Sequence, residues 1–337
     1  MLPQKISLLS GITGQAGSFL AEHLLSKGHY VVGIKRRSST NNLERIKHLL
    51  DNQNFELVDG DVTDYGSIFR IVEHYFPDYI FNLAAQSHVH TSFEQPNYTT
   101  DVTYGGCLNF LEILRKTTKL INKTRFFNAN SSEMFGDSID IDGRQRETTP
   151  FNPRSPYAIA KLACHHLIDV YRKSYGIFCS SGIMFNYESN RRLETFVTRK
   201  ITQYVAAWEF VKRNNLVIKP LHLGNINAWR DWSSAKDVVR AMLMILEYDK
   251  PDDFVIASGE TRTVYDFLKT AFGVIGVEPI LGNHYVLDES LKRPCEVPLL
   301  RGDATKAKSV LGWVPEISFE ELVKEMVNYD RKQLGNF

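Results

Sequence analysis

Short apolar runs alternate with longer segments of helical periodicity along the first half of the chain. The apolar runs lie at residues 6–9, 30–34, 55–58, 79–83, 126–129 and 179–184. The helical periods between them lie at about residues 18–27, 65–74, 99–116 and 157–175. This alternation predicts successive strand–helix–strand units, and therefore an α/β fold with a Rossmann-type, doubly wound parallel sheet.

The pattern changes after residue 185. A polar stretch covers residues 186–194, and later helical periods lie near residues 235–246, 264–272 and 319–332. Residues 253–257 form one more apolar run, which predicts that the chain returns to the main sheet before it ends. We therefore expect a dinucleotide-binding domain of residues 1–185 that also receives residues 228–258, and a smaller C-terminal substrate-binding lobe of residues 186–227 and 259–337.

The composition is that of a globular protein, with 337 residues of which 43% are hydrophobic and 23% charged. Because 40 Lys and Arg nearly balance 39 Asp and Glu, the net charge of +1 gives no overall field that would attract nucleic acid or a membrane surface. We see neither a run of membrane-spanning length nor an opening typical of a signal peptide. The four cysteines lack Cys-x-x-Cys spacing and the paired histidines lack further ligands at metal-site spacing, so we expect a cytoplasmic protein with reduced thiols and no metal.

A glycine-rich turn follows the first predicted strand. Gly11, Gly14 and Gly17 stand between this strand and the first predicted helix, where such a turn binds the pyrophosphate of a dinucleotide. Glycine adopts backbone angles that other residues avoid, and it lets phosphates approach N–H groups at the positive end of the helix. The strand and helix on either side make dinucleotide binding the favoured interpretation.

The end of the second predicted strand bears on the choice between the two nicotinamide cofactors. An NAD-dependent enzyme commonly places an acidic residue there to bind the ribose 2′-hydroxyl, whereas this chain has Lys35, Arg36 and Arg37. A planar guanidinium can hold a 2′-phosphate through two hydrogen bonds, so Arg36 or Arg37 indicates NADP. After the third strand, Asp61 is placed to contact the adenine amino group.

A candidate catalytic set combines a tyrosine, a lysine, a serine and a carboxylate. Tyr157 and Lys161 are four residues apart and share one face of a predicted helix. A nearby ammonium and the positive charge of the cofactor favour the phenolate, which can take a hydroxyl proton while hydride leaves the carbon. The fifth strand ends in Ser131, Ser132 and Glu133, at the sheet edge where such folds bind ligands. Hydride transfer alone needs no carboxylate base, whereas removing a carbon-bound proton beside a new ketone does, which gives Glu133 its significance.

With these motifs the sequence resembles the GDP-mannose 4,6-dehydratase family of the extended short-chain dehydrogenase/reductase superfamily, over nearly the whole chain. The segments that carry the resemblance are Gly-Ile-Thr-Gly-Gln at 11–15, Lys-Arg-Arg-Ser-Ser at 35–39, Asn-Leu-Ala-Ala-Gln-Ser-His-Val at 82–89, Pro-Arg-Ser-Pro-Tyr-Ala at 153–158, Glu-Thr-Phe-Val-Thr-Arg-Lys-Ile at 194–201 and Arg-Asp-Trp at 230–232. The resemblance implies NADP as the cofactor, a GDP-sugar as the substrate, and a homo-oligomer that is either a dimer or a tetramer.

The resemblance also implies a closed redox cycle on the sugar. NADP⁺ oxidises C4 of the hexose, water is eliminated across C5 and C6, and the hydride returns to C6. Tyr157 is implied as the base of the oxidation, with Lys161 tuning it and holding the nicotinamide ribose. Ser131 is implied to hydrogen-bond O4, and Glu133 to remove the C5 proton and serve the departing C6 hydroxyl.

Two sets of binding residues follow from the resemblance. Cofactor contacts are implied at Gly11, Ile12, Thr13, Gly14, Gln15, Ala16, Gly17, Arg36, Asp61, Val62, Leu83, Ala84, Ala85, Ser87, Tyr98, Lys161 and Arg192. Nucleotide-sugar contacts are implied at Ser87, Ser132, Asn186, Val197, Lys200, Gly224, Arg230, Arg293 and Glu296. Residues 187–193 resemble the loop through which family members contact a neighbouring subunit and its cofactor, although Tyr187, Asn190 and Leu193 depart from the family pattern.

Three other functions stay open at this point. A dehydratase for a different GDP-sugar, such as a GDP-heptose, would keep the chemistry and change only the pocket. A nucleotide-sugar 4-epimerase or 4-reductase would share Tyr157 and Lys161 but would have no use for a base at Glu133. A non-catalytic NADP-binding regulator would have no chemical reason to keep all four residues of the set.

Overall fold

The computed structural model describes residues 4–291 and 295–335. Within these ranges the strands are β1 (Ile6–Ser10), β2 (Tyr30–Lys35), β3 (Phe55–Asp59), β4 (Tyr79–Asn82), β5 (Arg125–Ser131), β6 (Cys179–Met184), β7 (Asn186–Glu188), β8 (Leu221–Leu223), β9 (Trp229–Ser234), β10 (Asp253–Ile256), β11 (Thr261–Thr263) and β12 (Tyr285–Leu287). The α-helices there are α1 (Gln15–Ser26), α2 (Tyr65–Tyr75), α3 (Val89–Glu94), α4 (Pro96–Thr100), α5 (Gly106–Lys116), α6 (Thr118–Ile121), α7 (Pro156–Tyr175), α8 (Val197–Arg213), α9 (Ala235–Glu247), α10 (Val264–Gly273) and α11 (Phe319–Gln333). No helix in the described ranges combines the length and the apolar character that a bilayer crossing requires.

Seven parallel strands form the main sheet, in the order β10-β6-β5-β4-β1-β2-β3. The six strands predicted from the first half of the sequence all belong to it, and the run predicted at 253–257 joins it at the edge beside β6. The doubly wound parallel sheet is therefore confirmed. Because all seven strands run in one direction, their carboxyl ends meet at the same edge, where such folds bind ligands.

Helices cover both faces of this sheet. On one face, Leu20 and Leu24 of α1 pack with Val238 and Met242 of α9 in a fully buried cluster. On the other face, helices α2, α5 and α7 contribute apolar side chains to a second buried cluster, which includes Ile68, Val72, Phe110, Leu114 and Ile168. Burial on both faces favours apolar residues, which explains why these strands read as mainly apolar runs, although they also contain buried polar residues such as Ser7, Asn128 and Ser181.

A smaller group of elements lies beside the carboxyl edge of the main sheet. Its three-stranded sheet has the order β11-β9-β7, and β8 pairs with β12 in a parallel ribbon. Helices α8, α10 and α11 pack together around Ile201, Val205, Phe267, Phe272 and Val323, all fully buried.

Helix α8 is absent from the elements predicted from the sequence, which placed only motif residues in this region. Its signal was present, since Val197, Ile201, Val205 and Trp208 recur at helical spacing. The predicted helix at 99–116 also differs from the structure, because its middle is a wider π-helical turn at residues 101–105 between α4 and α5.

Candidate functional site

A cleft of about 800 Å³ opens at the carboxyl edge of the main sheet, between the strand ends and the smaller group of elements. Its wall includes the glycine turn after β1, the loops after β4 and β5, the first turns of α7, and residues from β7, α8, β8 and β9. A cleft of this size can hold much of a dinucleotide or a nucleotide sugar. The fold thus brings distant parts of the chain to one site.

The glycine turn is shaped by very close backbone contacts. Gly11 has φ of +68°, and a side chain there would place its Cβ 2.9 Å from the Ala84 nitrogen. A Cβ at Gly17 would lie 2.3 Å from the carbonyl oxygen of Gly11, so α1 can pack against the turn only with glycine at this position. Helix α1 begins directly after Gly14, which caps it without any side-chain hydrogen bond. Its first N–H groups therefore suit an anionic ligand such as a pyrophosphate.

Nearly all of the predicted cofactor contacts meet in this cleft. The wall contains Gly11, Thr13, Gly14, Gln15, Ala16, Gly17, Arg36, Asp61, Val62, Leu83, Ala84, Ala85, Ser87, Tyr98, Lys161 and Arg192. Ile12 differs from the expectation, because its side chain is fully buried in the core and packs closely against Gly33. An apolar side chain pointing into the core is a structural anchor for the turn, which leaves Ile12 only its backbone to offer a ligand.

The structure distinguishes between the two arginines after β2. Arg36 lies in the cleft wall, and its Nη1 donates a hydrogen bond to the Tyr98 hydroxyl at 2.9 Å. Arg37 is exposed and lies outside this wall. Of the two candidates for a 2′-phosphate, Arg36 is therefore the one that a ligand in the cleft can reach.

The candidate catalytic side chains converge at the centre of the cleft. Helix α7 begins here because the Ser155 hydroxyl caps it, accepting from the Ala158 N–H at 3.1 Å, and Pro156 occupies the first helical position. Tyr157 therefore lies in the first turn, in the same cleft wall as Ser131 at the end of β5. One turn further, Lys161 lies with its Nζ 5.8 Å from the centroid of the Tyr157 ring.

The lysine and the glutamate are held by the end of β5. Lys161 Nζ donates to the carbonyl oxygen of Ala129 at 2.6 Å, which fixes the ammonium beneath the cleft. Glu133 lies in a short 3₁₀ turn directly after β5, and its own N–H donates to the Ser131 Oγ at 3.2 Å. Both side chains are largely buried and line the cleft.

Burial controls the electrostatics of the catalytic pair. It raises the pKa of Tyr157 well above its ordinary value of 10, although the nearby Ser131 side chain and the charge of Arg192 act in the opposite direction. Burial also lowers the pKa of Lys161. A phenolate therefore needs further positive charge close to Tyr157, and an oxidised nicotinamide ring in the cleft would supply it. The environment of Tyr157 and Lys161 therefore fits the oxidised nicotinamide cofactor that the fold implies.

The described members of the predicted nucleotide-sugar set also lie in the cleft wall. Ser132, Asn186, Val197, Lys200, Gly224, Arg230 and Glu296 all lie in the wall, together with Ser87. Arg230 is largely buried, and its Nη2 donates to Glu296 at 3.0 Å while its Nη1 donates to the Trp229 carbonyl oxygen at 2.8 Å. Arg293 lies outside the described residues.

Several residues of the wall were missed from the sequence. They include His88, Phe196, Thr198, His222 and Asn225. The Nδ1 of His88 accepts from the Thr91 N–H at 3.3 Å and so caps α3, while its ring packs edge-on against Phe196 at 5.4 Å. His88 stands inside the recognised segment at 82–89, and Phe196 and Thr198 stand inside that at 194–201, so these motifs contained a usable signal. Within the described ranges, no three His, Cys, Asp or Glu side chains group as metal ligands would.

The parallel sheet, the glycine turn and the Ser-Tyr-Lys set at its carboxyl edge define a nucleotide-sugar enzyme of the extended short-chain dehydrogenase/reductase type. Comparisons with known proteins refine this class. The sequence model of the GDP-mannose 4,6 dehydratase family matches residues 8–326. The chain belongs to this family.

Relatives from plants and animals agree with this assignment. GDP-mannose 4,6 dehydratase 2 of Arabidopsis thaliana is 47% identical over 335 residues, covering 97% of this chain and 87% of the relative. GDP-mannose 4,6 dehydratase of Homo sapiens is 44% identical over 349 residues, covering 97% of this chain and 92% of the relative. The resemblance seen in the sequence is thus confirmed.

Solved structures match the fold closely. The UDP-glucose 4-epimerase of Thermotoga maritima with UDP-glucose has a TM-score of 0.84 at 25% identity, covering 98% of this chain and 99% of that one. The dTDP-glucose 4,6-dehydratase of Bacillus anthracis in complex with NAD has a TM-score of 0.82 at 20% identity, covering 98% of each chain. Since epimerases and dehydratases share this fold, the fold alone does not select the reaction.

Proposed function

We propose that this chain catalyses the NADP-dependent conversion of GDP-mannose to GDP-4-keto-6-deoxymannose, with loss of one water. Membership of the GDP-mannose 4,6-dehydratase family supports the substrate and the reaction. Glu133, beside Ser131 and Tyr157 in the same cleft, is the single observation on which the choice of reaction depends. A 4-epimerase or 4-reductase needs the tyrosine and lysine but no carboxylate at this point.

The cofactor assignment depends on the shape and charge of the glycine-turn end of the cleft. The close contacts at Gly11 and Gly17 leave backbone N–H groups available to a pyrophosphate. Arg36 supplies a guanidinium in the wall where a NAD-specific site commonly has an acidic residue, which favours NADP. When bound, the cofactor would accept the hydride from C4 as NADP⁺ and, once reduced, would supply the hydride for C6.

Tyr157 is the proposed base for the C4 hydroxyl. Ser131 lines the same cleft, so a serine hydroxyl and a phenolate can both bond to O4 while its proton moves to Tyr157 during oxidation. Lys161 holds positive charge one helical turn away and keeps it there through its bond to the Ala129 carbonyl oxygen. The tyrosine stores the proton from O4, which balances the proton that C5 needs when the product forms.

Glu133 is the proposed base for the C5 proton. A ketone at C4 makes that proton acidic, and a carboxylate held rigidly at the end of β5 can remove it. The proton then leaves with the C6 hydroxyl as water. Proton abstraction and departure of the hydroxyl thus use one carboxyl group in succession.

Three further proposals concern the oligomeric state, the cellular location and the part of the chain that binds the nucleotide sugar. We propose a homo-oligomer, a dimer or a tetramer, which the exposed Ile159 and Val170 on α7 support as apolar contact points. We propose the cytoplasm as its location, which the four free thiols support. We further propose that the group around α8, α10 and α11 binds the nucleotide sugar, since Lys200 of α8 lies in the cleft wall.

The test uses two variants that stop the reaction at different points. Glu133→Gln keeps the shape of the side chain and removes the base, so we expect oxidation of GDP-mannose with accumulation of reduced cofactor and a loss of about 10²- to 10⁴-fold in product formation. Tyr157→Phe should form neither reduced cofactor nor product. Absorbance of the reduced nicotinamide and the product mass are recorded together.

Three outcomes would count against the proposal. Unchanged water loss in Glu133→Gln would exclude this residue as the base. A wild-type product with the mass of the substrate would indicate epimerisation. No turnover of GDP-mannose combined with turnover of another GDP-sugar would move the assignment to that substrate.

A further inference from the structure

Residues 187–193, which we call the strap, contact the glycine turn of their own chain. Gln15 Nε2 donates to the Tyr187 carbonyl oxygen at 3.0 Å, and the Ser189 hydroxyl donates to Gln15 Oε1 at 2.7 Å. Both polar atoms of the Gln15 amide are therefore used by the strap. The glycine turn, which offers its backbone to a pyrophosphate, is thus hydrogen-bonded to the strap through the Gln15 side chain.

Arg45 makes a second connection between the same two segments. Its Nε donates to the Arg191 carbonyl oxygen at 2.8 Å, and its Nη1 donates to the Thr13 carbonyl oxygen at 3.2 Å. One planar guanidinium thus joins the strap to the glycine turn through two different nitrogens. Arg45 is half-buried and lies outside the cleft wall, so its contacts are structural rather than catalytic.

Arg191 fastens the strap to helix α1. Its Nη1 donates to the Ser18 hydroxyl at 3.1 Å, its Nη2 donates to Glu22 at 2.5 Å, and its guanidinium lies 4.0 Å from the centroid of the Phe19 ring. Charge-assisted bonds of this kind are the stronger hydrogen bonds of proteins.

The next residue, Arg192, lies in the cleft wall. Its N–H donates to the Ser189 carbonyl oxygen at 3.1 Å, and its guanidinium lies 3.6 Å from the centroid of the Phe196 ring. The position of this cation in the cleft therefore depends on the path of the strap.

We propose that Arg45 is a positioning residue for the dinucleotide: by joining Thr13 to the strap of its own chain, it fixes both the glycine turn and Arg192 before the cofactor binds. The inference rests on the proposed function, in which this cleft binds NADP. A turn that is already ordered loses less conformational entropy on binding, so its affinity for the pyrophosphate is higher.

The test compares two substitutions that remove the same charge. Arg45→Gln removes both donors to the strap and the turn, whereas Lys47→Gln removes a cation from an exposed side chain two residues away. Calorimetric titration with NADP⁺ should show a dissociation constant raised about 10-fold in Arg45→Gln and changed less than about 2-fold in Lys47→Gln. Arg45→Lys keeps the charge but has a single nitrogen for two carbonyls, so it should lie between the wild type and Arg45→Gln.

The kinetic readout separates positioning from a general loss of structure. At saturating NADP⁺, kcat and the KM for GDP-mannose should stay within about 2-fold of the wild type in Arg45→Gln, because bound cofactor restores the order of the glycine turn and of Arg192. A fall in kcat with an unchanged NADP⁺ dissociation constant would overturn the inference. Equal affinities in Arg45→Gln and Lys47→Gln would overturn it too. If Arg45→Gln does not fold, Arg45→Lys is compared with Lys47→Gln instead. Wild-type NADP⁺ affinity in Arg45→Lys would then overturn the inference.

Light scattering distinguishes action within one chain from action across a subunit contact. We expect Arg45→Gln to keep the wild-type mass and its weaker binding to be independent of protein concentration. Recovery of wild-type affinity on concentrating the variant, together with a rise in its mass, would show that the strap acts through a neighbouring copy and would overturn the inference. Failure of the wild type itself to bind NADP⁺ would instead contradict the proposed function.

Discussion

Replacing Arg36 with alanine should change the preference of the protein between its two possible cofactors. Arg36 lies in the cleft wall one residue after β2, with its Nη1 bonded to the Tyr98 hydroxyl. A hydrogen bond to a charged group contributes about 1.5–3 kcal/mol, and about 1.4 kcal/mol corresponds to a tenfold change in affinity. Since the side chain is exposed and its charge partly screened, we expect the lower part of that range. The dissociation constant for NADP⁺ should rise about 10- to 30-fold.

The same substitution should leave NAD⁺ binding within about twofold, because NAD⁺ has no 2′-phosphate for the guanidinium to hold. Arg37→Ala is the matched control, since it removes an equal charge from the neighbouring position outside the wall. Titrations of both variants with both cofactors give four affinities at each of two salt concentrations. The reasoning is refuted if Arg36→Ala weakens both cofactors equally, or if Arg37→Ala reproduces the loss for NADP⁺.

Three further substitutions test the structure around the cleft. Gly17→Ala would place a methyl carbon 2.3 Å from the Gly11 carbonyl oxygen, so thermal unfolding should show a loss of about 1–3 kcal/mol and titration a loss of NADP⁺ binding. Arg199→Met should cost about 3–5 kcal/mol in urea unfolding because it leaves the buried Asp330 without its partner, and adding Asp330→Leu should restore most of that loss. Ser155→Ala removes the cap of α7 and should cost about 1 kcal/mol in the same assay.

Each of these predictions can fail in a recognisable way. Unchanged NADP⁺ affinity in Gly17→Ala would mean that α1 does not need its close approach to the turn. A double variant no more stable than Arg199→Met alone would show that the loss does not come from an unpaired Asp330 carboxylate. Unchanged stability in Ser155→Ala would leave the start of α7, and with it the placement of Tyr157, to Pro156 and packing.

The main sheet could be predicted from the sequence because its strands are buried on both faces. Parallel strands of this kind are rich in successive apolar residues, as in β4 (Tyr79–Asn82), all four residues of which are buried. Helix α8 was not among the predicted helices, although its apolar residues Val197, Ile201 and Val205 recur at helical spacing. The π-helical turn at residues 101–105 has no comparable sequence signal, since one extra residue in a turn barely changes an apolar pattern.

In the candidate site, too, some features could be predicted from the sequence and others could not. A strand, a glycine turn and a helix follow one another locally, so the phosphate-binding end could be inferred from adjacent residues. The topology rule for parallel sheets then places Glu133 and Tyr157 near that turn, and the structure brings them into one cleft, although their roles stay predictions. The choice between Arg36 and Arg37, and the bond from Arg45 to the Arg191 carbonyl oxygen, depend on side-chain directions and on contacts between distant segments. Neither has a signature in local sequence.

The late arrival of β10 beside β6 has a consequence for synthesis on the ribosome. Strand β6 ends at Met184, and its outer edge receives its partner only with β10, which ends at Ile256. At about 5–20 residues per second, the roughly 70 intervening residues leave that apolar edge unpaired for about 4–14 s while the chain is still growing. An unpaired strand edge is a template for association with other chains, so nascent protein of this length is the stage at which aggregation is most to be expected and at which a chaperone would have most to protect.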